Sequence, residues 1–331
     1  MARLCVSRFG LSLLLALVVG AMGFGNVRAQ DRLSIATGGT GGVYYPYGGA
    51  MANVLSDNIE GIEVTAEVTA ASVDNMLFIE SQDADIAFVL GDTAYDAVQG
   101  KAPFTAAVPA LTLATLYNNY THIVTTDDGG IDSVADLRDK RVSTGAPGSG
   151  TEVIANRILA AAGLDPENDI EREQLGAAES ADAVKDGQLD AFFWSGGLPT
   201  GAITDLGATP NVGLKLLPSA EFVESLSTEF GAFYSVATIP AATYTSQDEA
   251  VDVIVVPNLL VVNAELDEQL AYDITRVIFE QRDQLILAHP EANNLTLENA
   301  TVNSPIAYHP GAIRYYQEQG IEIAPVATPA A

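Results

Sequence analysis

The chain has 331 residues, with 15 basic and 43 acidic side chains and a formal net charge of −28. Such an acidic surface repels nucleic acid and anionic lipid, so it argues against proteins that bind either of them. The only cysteine is Cys5, which excludes a disulfide framework, a thiolate nucleophile and a cysteine metal site from the rest of the chain.

The N-terminal segment is typical of a secretory signal peptide. Arg3 and Arg8 form a positive n-region, and an apolar run covers residues 11–24. Val27 and Ala29 have the spacing of a signal-peptidase site, which would be cut after Ala29. We therefore predict that residues 1–29 are a signal peptide and that the chain is exported. Removal of its three arginines leaves 12 basic and 43 acidic residues, a net charge of −31.

Strand and helix patterns alternate after this segment. Residues 32–37, "RLSIAT", and 62–68, "IEVTAEV", are typical of strands, and 84–90, "ADIAFVL", of a strand buried on both faces. Pro46 suits the first turn of a helix, and Ser72 is expected to cap a second helix. This β-α-β-α-β order predicts a mostly parallel sheet with right-handed crossovers.

The same order recurs from about residue 121. "HIVTT", "RVSTG" and "LDAFFWS" indicate strands, and "TEVIANRILAAAG" indicates a helix that ends at Gly163. Ser133 and Asp136 resemble a capping box, with aspartate in place of glutamate. The two parts of the chain therefore share one order of strand, Gly/Ser/Thr-rich loop and helix.

The C-terminal part is different, with a β-branched stretch over residues 250–263 and amphipathic helices over 265–286 and 309–320. About 300 exported residues usually divide into two domains. We predict two α/β lobes, each a mostly parallel sheet flanked by helices. Lobe I would comprise residues 30–120 and 236–331, and lobe II residues 121–235.

Three loops that lead from strands into helices are rich in glycine, serine and threonine: "TGGTGGVYYP" (37–46), "TGAPGSGTE" (144–152) and "WSGGLPTGA" (194–202). In open α/β sheets, ligands bind at such loops. Glycine lets backbone amides approach a ligand, and a helix N-terminus attracts negative charge. The loops therefore predict an anion site that needs no basic side chain, although each loop alone can be an ordinary connection.

Catalytic motifs fail in detail. "GAPGSGTE" has the spacing of a phosphate loop, but Thr151 and Glu152 replace the lysine and hydroxyl residue. Neither Ser149 nor Ser195 has the G-x-S-x-G elbow. The three histidines are scattered, and His309 is expected to cap or pack a helix. We therefore expect no enzyme, no cofactor and no metal.

Five stretches resemble the TAXI family, the TRAP-transporter-associated extracytoplasmic solute receptors. They are "GTGGVYYPYGGAMA" (39–52), "LYNNYTHIV" (116–124), "RVSTGAPGSGTEVIANRIL" (141–159), "DGQLDAFFWSGG" (186–197) and "HPGAIRYYQEQG" (309–320). The resemblance implies a periplasmic binding protein of the type II fold, a monomer whose two lobes close on a small organic anion. It also implies glutamate or a related dicarboxylate as ligand, and delivery to a TRAP permease, often a fused one, driven by sodium.

The resemblance also assigns ligand-binding roles to residues that match the family motifs. Asp92 belongs to an element in which Leu90 replaces the usual glutamine, which leaves the polar end of the ligand open; Asp92 is also a candidate N-cap. The full candidate set is Thr40, Gly41, Tyr44, Asp92, Tyr117, Ser149, Gly150, Thr151, Ser195, Gly196 and Gly197.

Three other functions remain open at this stage. A binding protein of an ABC importer would share the architecture. A secreted hydrolase would show turnover of an ester or phosphoester. An immunogenic or sensory surface protein would have a partner other than a permease.

Overall fold

The computed structural model describes residues 31–323, so the predicted signal peptide lies outside the described residues. One mixed sheet runs through the described chain. Its ten strands are β1 (Asp31–Ala36), β2 (Ile62–Glu67), β3 (Ile86–Leu90), β4 (Ala110–Thr126), β5 (Arg141–Ser143), β6 (Glu171–Glu173), β7 (Ala191–Gly196), β8 (Leu214–Leu216), β9 (Ser235–Ile239) and β10 (Val251–Asn263).

Helices cover this sheet, and none in the described part of the chain is long and apolar enough to cross a membrane. The α-helices are α1 (Tyr44–Asn58), α2 (Ser72–Ser81), α3 (Gly91–Gln99), α4 (Gly150–Ala161), α5 (Ala177–Lys185), α6 (Gly201–Gly207), α7 (Val223–Phe230), α8 (Glu268–Glu280), α9 (Arg282–Ala288), α10 (Leu297–Ala300) and α11 (Pro310–Glu318). Short 3₁₀ segments cover Val134–Leu137, Ala220–Phe222 and Pro290–Asn294.

The sheet is parallel towards both ends and antiparallel in the middle. Its strand order is β2-β1-β3-β10-β4-β7-β5-β6, with β8 paired to β4 and β9 to β10. Strand β1 pairs parallel with β2 and β3, and β5 with β6 and β7. The long strands β4 and β10 run antiparallel to each other and to their outer neighbours. The predicted α/β class, a sheet flanked by helices, is confirmed.

Strands β4 and β10 each contribute side chains to hydrophobic clusters on both sides of the cleft, so the chain crosses between the two lobes within these strands. Tyr117 of β4 packs with α1, α8 and α11, whereas Ile123 of the same strand packs with α4. In β10, Leu259 belongs with β3 and α2, and Val256 with α4. We therefore use lobe I for residues 31–119 and 257–323, and lobe II for residues 120–256.

The second crossing lies later in the chain than the expected position near residue 235. Strand β9 pairs antiparallel with Val251–Val255 of β10, so this hairpin stays in lobe II. Ile239 and Tyr244 pack there against Val253 and Val255. The chain returns to lobe I only within β10, because that strand is long enough to span both lobes.

Local signals explain several of the helix ends. The Ser133–Asp136 capping box is present, as predicted, at a 3₁₀ segment. His309 caps α11, since its Nδ1 accepts the Gly311 N–H at 3.2 Å. Ser72, however, does not cap α2: it is the first helical residue after Ala71, and its Oγ accepts the Leu90 N–H at 3.1 Å. Its hydroxyl thereby links α2 to the end of β3.

Candidate ligand-binding site

A cleft of about 230 Å³ lies between the lobes. The N-termini of α1, α2, α4 and α5 reach it, and each of these helices follows a parallel strand of the sheet. Among the described residues, Glu179 is the only charged side chain in its wall. The lining consists of Gly39, Thr40, Gly41, Gly42, Tyr44, Thr69, Ala70, Ala71, Ser72, Leu90, Ala146, Ser149, Gly150, Thr151, Gly176, Ala177, Ala178, Glu179, Trp194 and Ser195.

The start of α4 offers backbone donors to this cleft. Ser149 is the N-cap, and its Oγ accepts the Glu152 N–H at 3.1 Å. Thr151 Oγ1 accepts the Ser195 N–H at 3.1 Å, which leaves the hydroxyl hydrogen of Thr151 to donate elsewhere. The amides of Gly150 and Thr151 are in the first turn, where an α-helix supplies no acceptor for them. This end of α4 therefore suits an anion.

Glycine is required at position 150 by the close approach of lobe I. A Cβ built there would lie 2.5 Å from Leu90 Cδ1 and 2.8 Å from Ser72 Oγ. Real Cβ contacts are not that short, so any side chain at this position would push the lobes apart. The bare backbone lets the α4 amides face the cleft at close range.

The N-termini of α2 and α5 at the cleft have partners within the protein. In α2, the Val73 and Asp74 N–H groups donate to the Gly148 carbonyl of lobe II at 3.0 and 3.1 Å. In α5, the Glu179 carboxylate lies over the N-cap, since a Cβ on Gly176 would be 2.6 Å from Glu179 Oε2. The occupied amides of α2 and the carboxylate at the start of α5 both weaken the attraction of these helix N-termini for an anion. At the start of α4 the Glu152 carboxylate is turned back to the Gly148 N–H, at 3.1 Å, and the Gly150 and Thr151 amides remain available to an anion.

Loops from the two lobes meet at one rim of the cleft. Gly42 lies against the Trp194 ring, where a Cβ would approach Trp194 Cζ2 to 2.7 Å. Trp194 Nε1 donates to Thr200 Oγ1 at 3.0 Å, which holds the indole in place. The Ala202 N–H at the start of α6 donates to the Gly41 carbonyl at 3.2 Å. These contacts across the lobes describe a closed arrangement.

The structure brings most of the predicted site residues to the cleft. Those that line it are Thr40, Gly41, Tyr44, Ser149, Gly150, Thr151 and Ser195. Gly196 lines an adjoining recess of about 20 Å³. Asp92, Tyr117 and Gly197 do not line the cleft.

Asp92 is fully buried behind the cleft wall and pairs with groups of lobe II. Its Oδ2 accepts the Tyr234 hydroxyl at 3.0 Å and lies 3.3 Å from Arg157 Nη1. Arg157 also forms an ion pair with Asp96. Burial alone would lower the pKa of Arg157, but Asp92, Tyr234 and Asp96 raise it above its ordinary value. This ion pair occupies Asp92, so its position does not suit the ligand-binding role that we had assigned to it.

Gly197 and Tyr117 pack against the C-terminal part of lobe I. A Cβ on Gly197 would lie 2.6 Å from Glu291 Cγ and 2.9 Å from Tyr117 Cε2. Glu291 Oε1 accepts the Leu198 N–H at 2.5 Å, and burial raises the pKa of this carboxyl. Gly197 therefore permits an anchor for the third loop instead of contacting a ligand. This departs from its predicted role.

Tyr44 forms part of the cleft wall and is 8% exposed. Its ring centroid lies 5.2 Å from that of Phe88. Burial raises the pKa of its hydroxyl, and the nearby Ser72 and Asn119 side chains partly offset that rise. Neither neighbour forms a hydrogen bond of normal geometry with the hydroxyl. Tyr44 is therefore a neutral donor at the inner end of the cleft.

Sequence reasoning missed residues 69–72, Leu90 and the start of α5 as parts of the wall, and it included Trp194 in the third loop without naming it as a site residue. Gly176 directly before the α5 pattern was a usable signal of the same kind as the other glycine-rich loops. Ser72 had been interpreted as a helix cap, and Trp194 as the first residue of the third loop. Their roles depend on the approach of two distant segments, which no local pattern records.

Histidine does not contribute to the cleft wall. His122 is fully buried in β4, and burial lowers its pKa to about 4. Its Nδ1 lies 3.0 Å from the Tyr120 carbonyl, so Nδ1 donates, and Nε2 accepts from the Tyr244 hydroxyl at 2.9 Å. Tyr244 in turn accepts the Thr200 N–H at 3.0 Å. This chain of hydrogen bonds anchors the third loop.

The fold is that of the α/β periplasmic binding proteins. A Bordetella bronchiseptica protein is 17% identical, with 86% of this chain and 88% of that one covered, at a TM-score of 0.53. PhnD1 from Prochlorococcus marinus, solved with methylphosphonate, is 12% identical over 80% and 90% of the chains, at 0.51. A binding protein of an ABC phosphonate transporter from Pseudomonas aeruginosa is 12% identical over 79% of each chain, at 0.51.

A protein-family model also matches this chain over most of its length. The model of the NMT1-like family matches residues 35–320, which is nearly all of the described chain. The chain therefore belongs to the NMT1-like family.

Proposed function

We propose that this protein is a periplasmic solute-binding protein that captures a small organic anion and presents it to a membrane transporter. The observation that carries the proposal is the start of α4, where Ser149, Gly150 and Thr151 face a closed cleft. The lining residues that the structure describes include no lysine or arginine, so the negative charge would be held by amides and hydroxyls. A hydrogen bond to a charged group contributes about 1.5–3 kcal/mol.

Closure of the lobes explains how binding would be coupled to delivery. The Gly148–α2 and Gly41–α6 hydrogen bonds form only when the lobes approach each other. A ligand that contacts both walls favours this closed form over an open one. The transporter would then recognise the surface that closure creates.

The transporter is best described as an ABC-type importer. The Pseudomonas aeruginosa protein supports this choice, because it is the binding protein of an ABC phosphonate transporter. The resemblance to TAXI receptors supports a TRAP permease as the second candidate. Uptake by vesicles that contain one or the other permease, with this protein added, distinguishes them.

The head group of the ligand is a carboxylate, phosphonate or sulfonate. All three place several anionic oxygens on one atom, and such oxygens match the donors at a helix N-terminus. The TAXI resemblance favours a carboxylate, with glutamate-like acids among the candidates. We propose no catalytic role, because none of the described cleft residues pairs a nucleophile with a base.

A thermal-shift screen tests the proposal. The purified exported chain is heated with single carboxylates, phosphonates, sulfonates, sugars and amines. A ligand at a hundredfold its dissociation constant adds about 2.7 kcal/mol of stability. We expect organic acids alone to raise the melting temperature. Stabilisation by sugars or amines, with none by any acid, would overturn the proposal.

A further inference from the structure

Five polar side chains in the cleft wall or beneath it are buried without a hydrogen-bond partner for their side-chain polar atoms among the described residues. We call them the polar floor: Tyr44, Tyr117, Asn119, Ser195 and Asn258. Each is more than nine-tenths buried, and the two asparagines are fully buried. Unpaired polar groups in a protein interior are rare and costly, so this concentration in one place needs a cause.

The strand pairing places the floor directly under the cleft. Asn258 of β10 lies opposite Leu90 of β3 on one side and Tyr117 of β4 on the other. Directly opposed residues share a face of the sheet, and so do residues two apart in one strand. Asn119 therefore lies on that face, as does Ser195, which is opposite Thr121. Leu90 and Ser195 line the cleft and flank the two asparagines.

The side chains of the polar floor are uncharged and can both donate and accept hydrogen bonds. Each asparagine supplies both donors and an acceptor, and each hydroxyl can donate and accept. A second carboxylate would meet no cation here, and an alkyl chain would leave every one of these groups unpaired. A hydroxyl or a primary amide of the ligand would both donate hydrogen bonds to these groups and accept hydrogen bonds from them.

We propose that the polar floor recognises an uncharged hydroxyl or amide group of the solute, distinct from its anionic head. This inference depends on the proposed function, because it assumes that α4 holds the anionic head. It narrows the ligand class to acids with a single anionic group that also carry a hydroxyl or carbamoyl group. Simple alkyl acids and dicarboxylates would bind more weakly.

Calorimetry with matched acids tests this class. The probes are butyrate, 4-hydroxybutyrate, succinamate and succinate, together with their three-, five- and six-carbon counterparts. At the preferred length, we expect the hydroxy acid or the amide to bind at least tenfold more tightly than the alkyl acid and the dicarboxylate. In Asn119→Leu and Asn258→Leu, we expect this preference to fall to about twofold or less, while the alkyl acid still binds.

The melting temperature of the ligand-free protein separates recognition from a structural role. Since the floor groups are unpaired, the leucine variants should melt at the same temperature as the wild type or higher. Tyr316→Phe is the control: its hydroxyl donates to the Leu113 carbonyl at 2.8 Å, far from the floor, so it should lower stability and leave the preference intact. If a leucine variant does not fold, Tyr117→Phe and Ser195→Ala replace it.

The outcomes distinguish the two proposals. Three results would overturn the role of the floor and leave the anion site standing: equal affinity for all four probes, a preference that survives in the folded variants, or a lowered melting temperature in any of the floor variants. Failure of every acid to bind would overturn the proposed function itself.

Discussion

Arg157 Nη1 lies 3.3 Å from Asp92 Oδ2, and the two residues belong to different lobes. Arg157 is seven residues after Gly150 in the same helix, about two turns from the amides that face the cleft. The ion pair therefore ties α4 to α3 of lobe I at the back of the site. Its geometry links the stability of the closed form to the position of the anion site.

Arg157→Met tests this link. Removal of one partner from a buried ion pair leaves an uncompensated charge, which costs about 3–5 kcal/mol. We expect a loss of stability of that size in urea unfolding and weaker binding of any acid that binds the wild type. The triple variant Asp92→Asn, Asp96→Asn and Arg157→Met removes the charges together and should recover much of the stability. A single variant as stable as the wild type would contradict this role.

Gly150→Ala tests the close approach of the lobes. The added methyl would collide with Leu90 and Ser72, so the lobes should fail to close fully on a ligand. We expect affinity to fall by tenfold or more, about 1.4 kcal/mol, in calorimetry. Gly49→Ala is the matched control, because a Cβ at that helical position meets nothing within 4 Å. Unchanged binding in Gly150→Ala would show that closure does not depend on this contact.

The double variant Ser149→Ala and Thr151→Ala tests the hydroxyls of the anion site. We expect it to weaken acid binding by tenfold or more. Because Ser149 also caps α4, the variant should lose about 1 kcal/mol of stability as well. Thr296→Ala is the control. Thr296 caps α10, outside the cleft wall, and its Oγ1 accepts the Asn299 N–H. If that variant weakens binding equally, the effect is one of stability and the assignment of the hydroxyls is wrong.

His122→Gln tests the buried hydrogen-bond chain behind the third loop. Burial lowers the pKa of His122 to about 4, so between pH 6.5 and 4 the unfolded chain binds a proton that the folded chain does not. Stability should therefore fall as the pH is lowered through this window, by about 3 kcal/mol from this residue. We expect the wild type to lose that much more than the variant in urea unfolding between pH 7 and 4. Parallel stability curves would contradict the low pKa.

The sequence predicted much of the site because one pattern repeats. Each of the loops around residues 37–46 and 144–152 follows a strand and begins a helix, and both reach the cleft. The third loop was predicted less well: Ser195 lines the cleft, but Gly197 faces Glu291, nearly a hundred residues away in the chain. A glycine-rich loop can be recognised from neighbouring residues in the sequence. The residue that packs against the glycine can be far away in the chain, so the sequence does not show what the glycine contacts.

The parts that were missed share one physical cause. Asp92 and Arg157 meet only because α3 and α4 of different lobes pack together, and no local pattern predicts this pairing. The later crossing in β10 depends on the β9–β10 hairpin, which a run of β-branched residues does not reveal. The polar floor arises from the register of β4 against β10, and a single residue of register shift would move its asparagines to the other face.

A crystal structure of the protein with the tightest-binding acid from the screen tests the central claim most directly. We expect the lobes closed and the anionic oxygens within about 3 Å of the Gly150 and Thr151 amide nitrogens. We also expect no lysine or arginine side chain in contact with the acid. An acid bound outside this cleft, or one held by a basic side chain, would contradict the account.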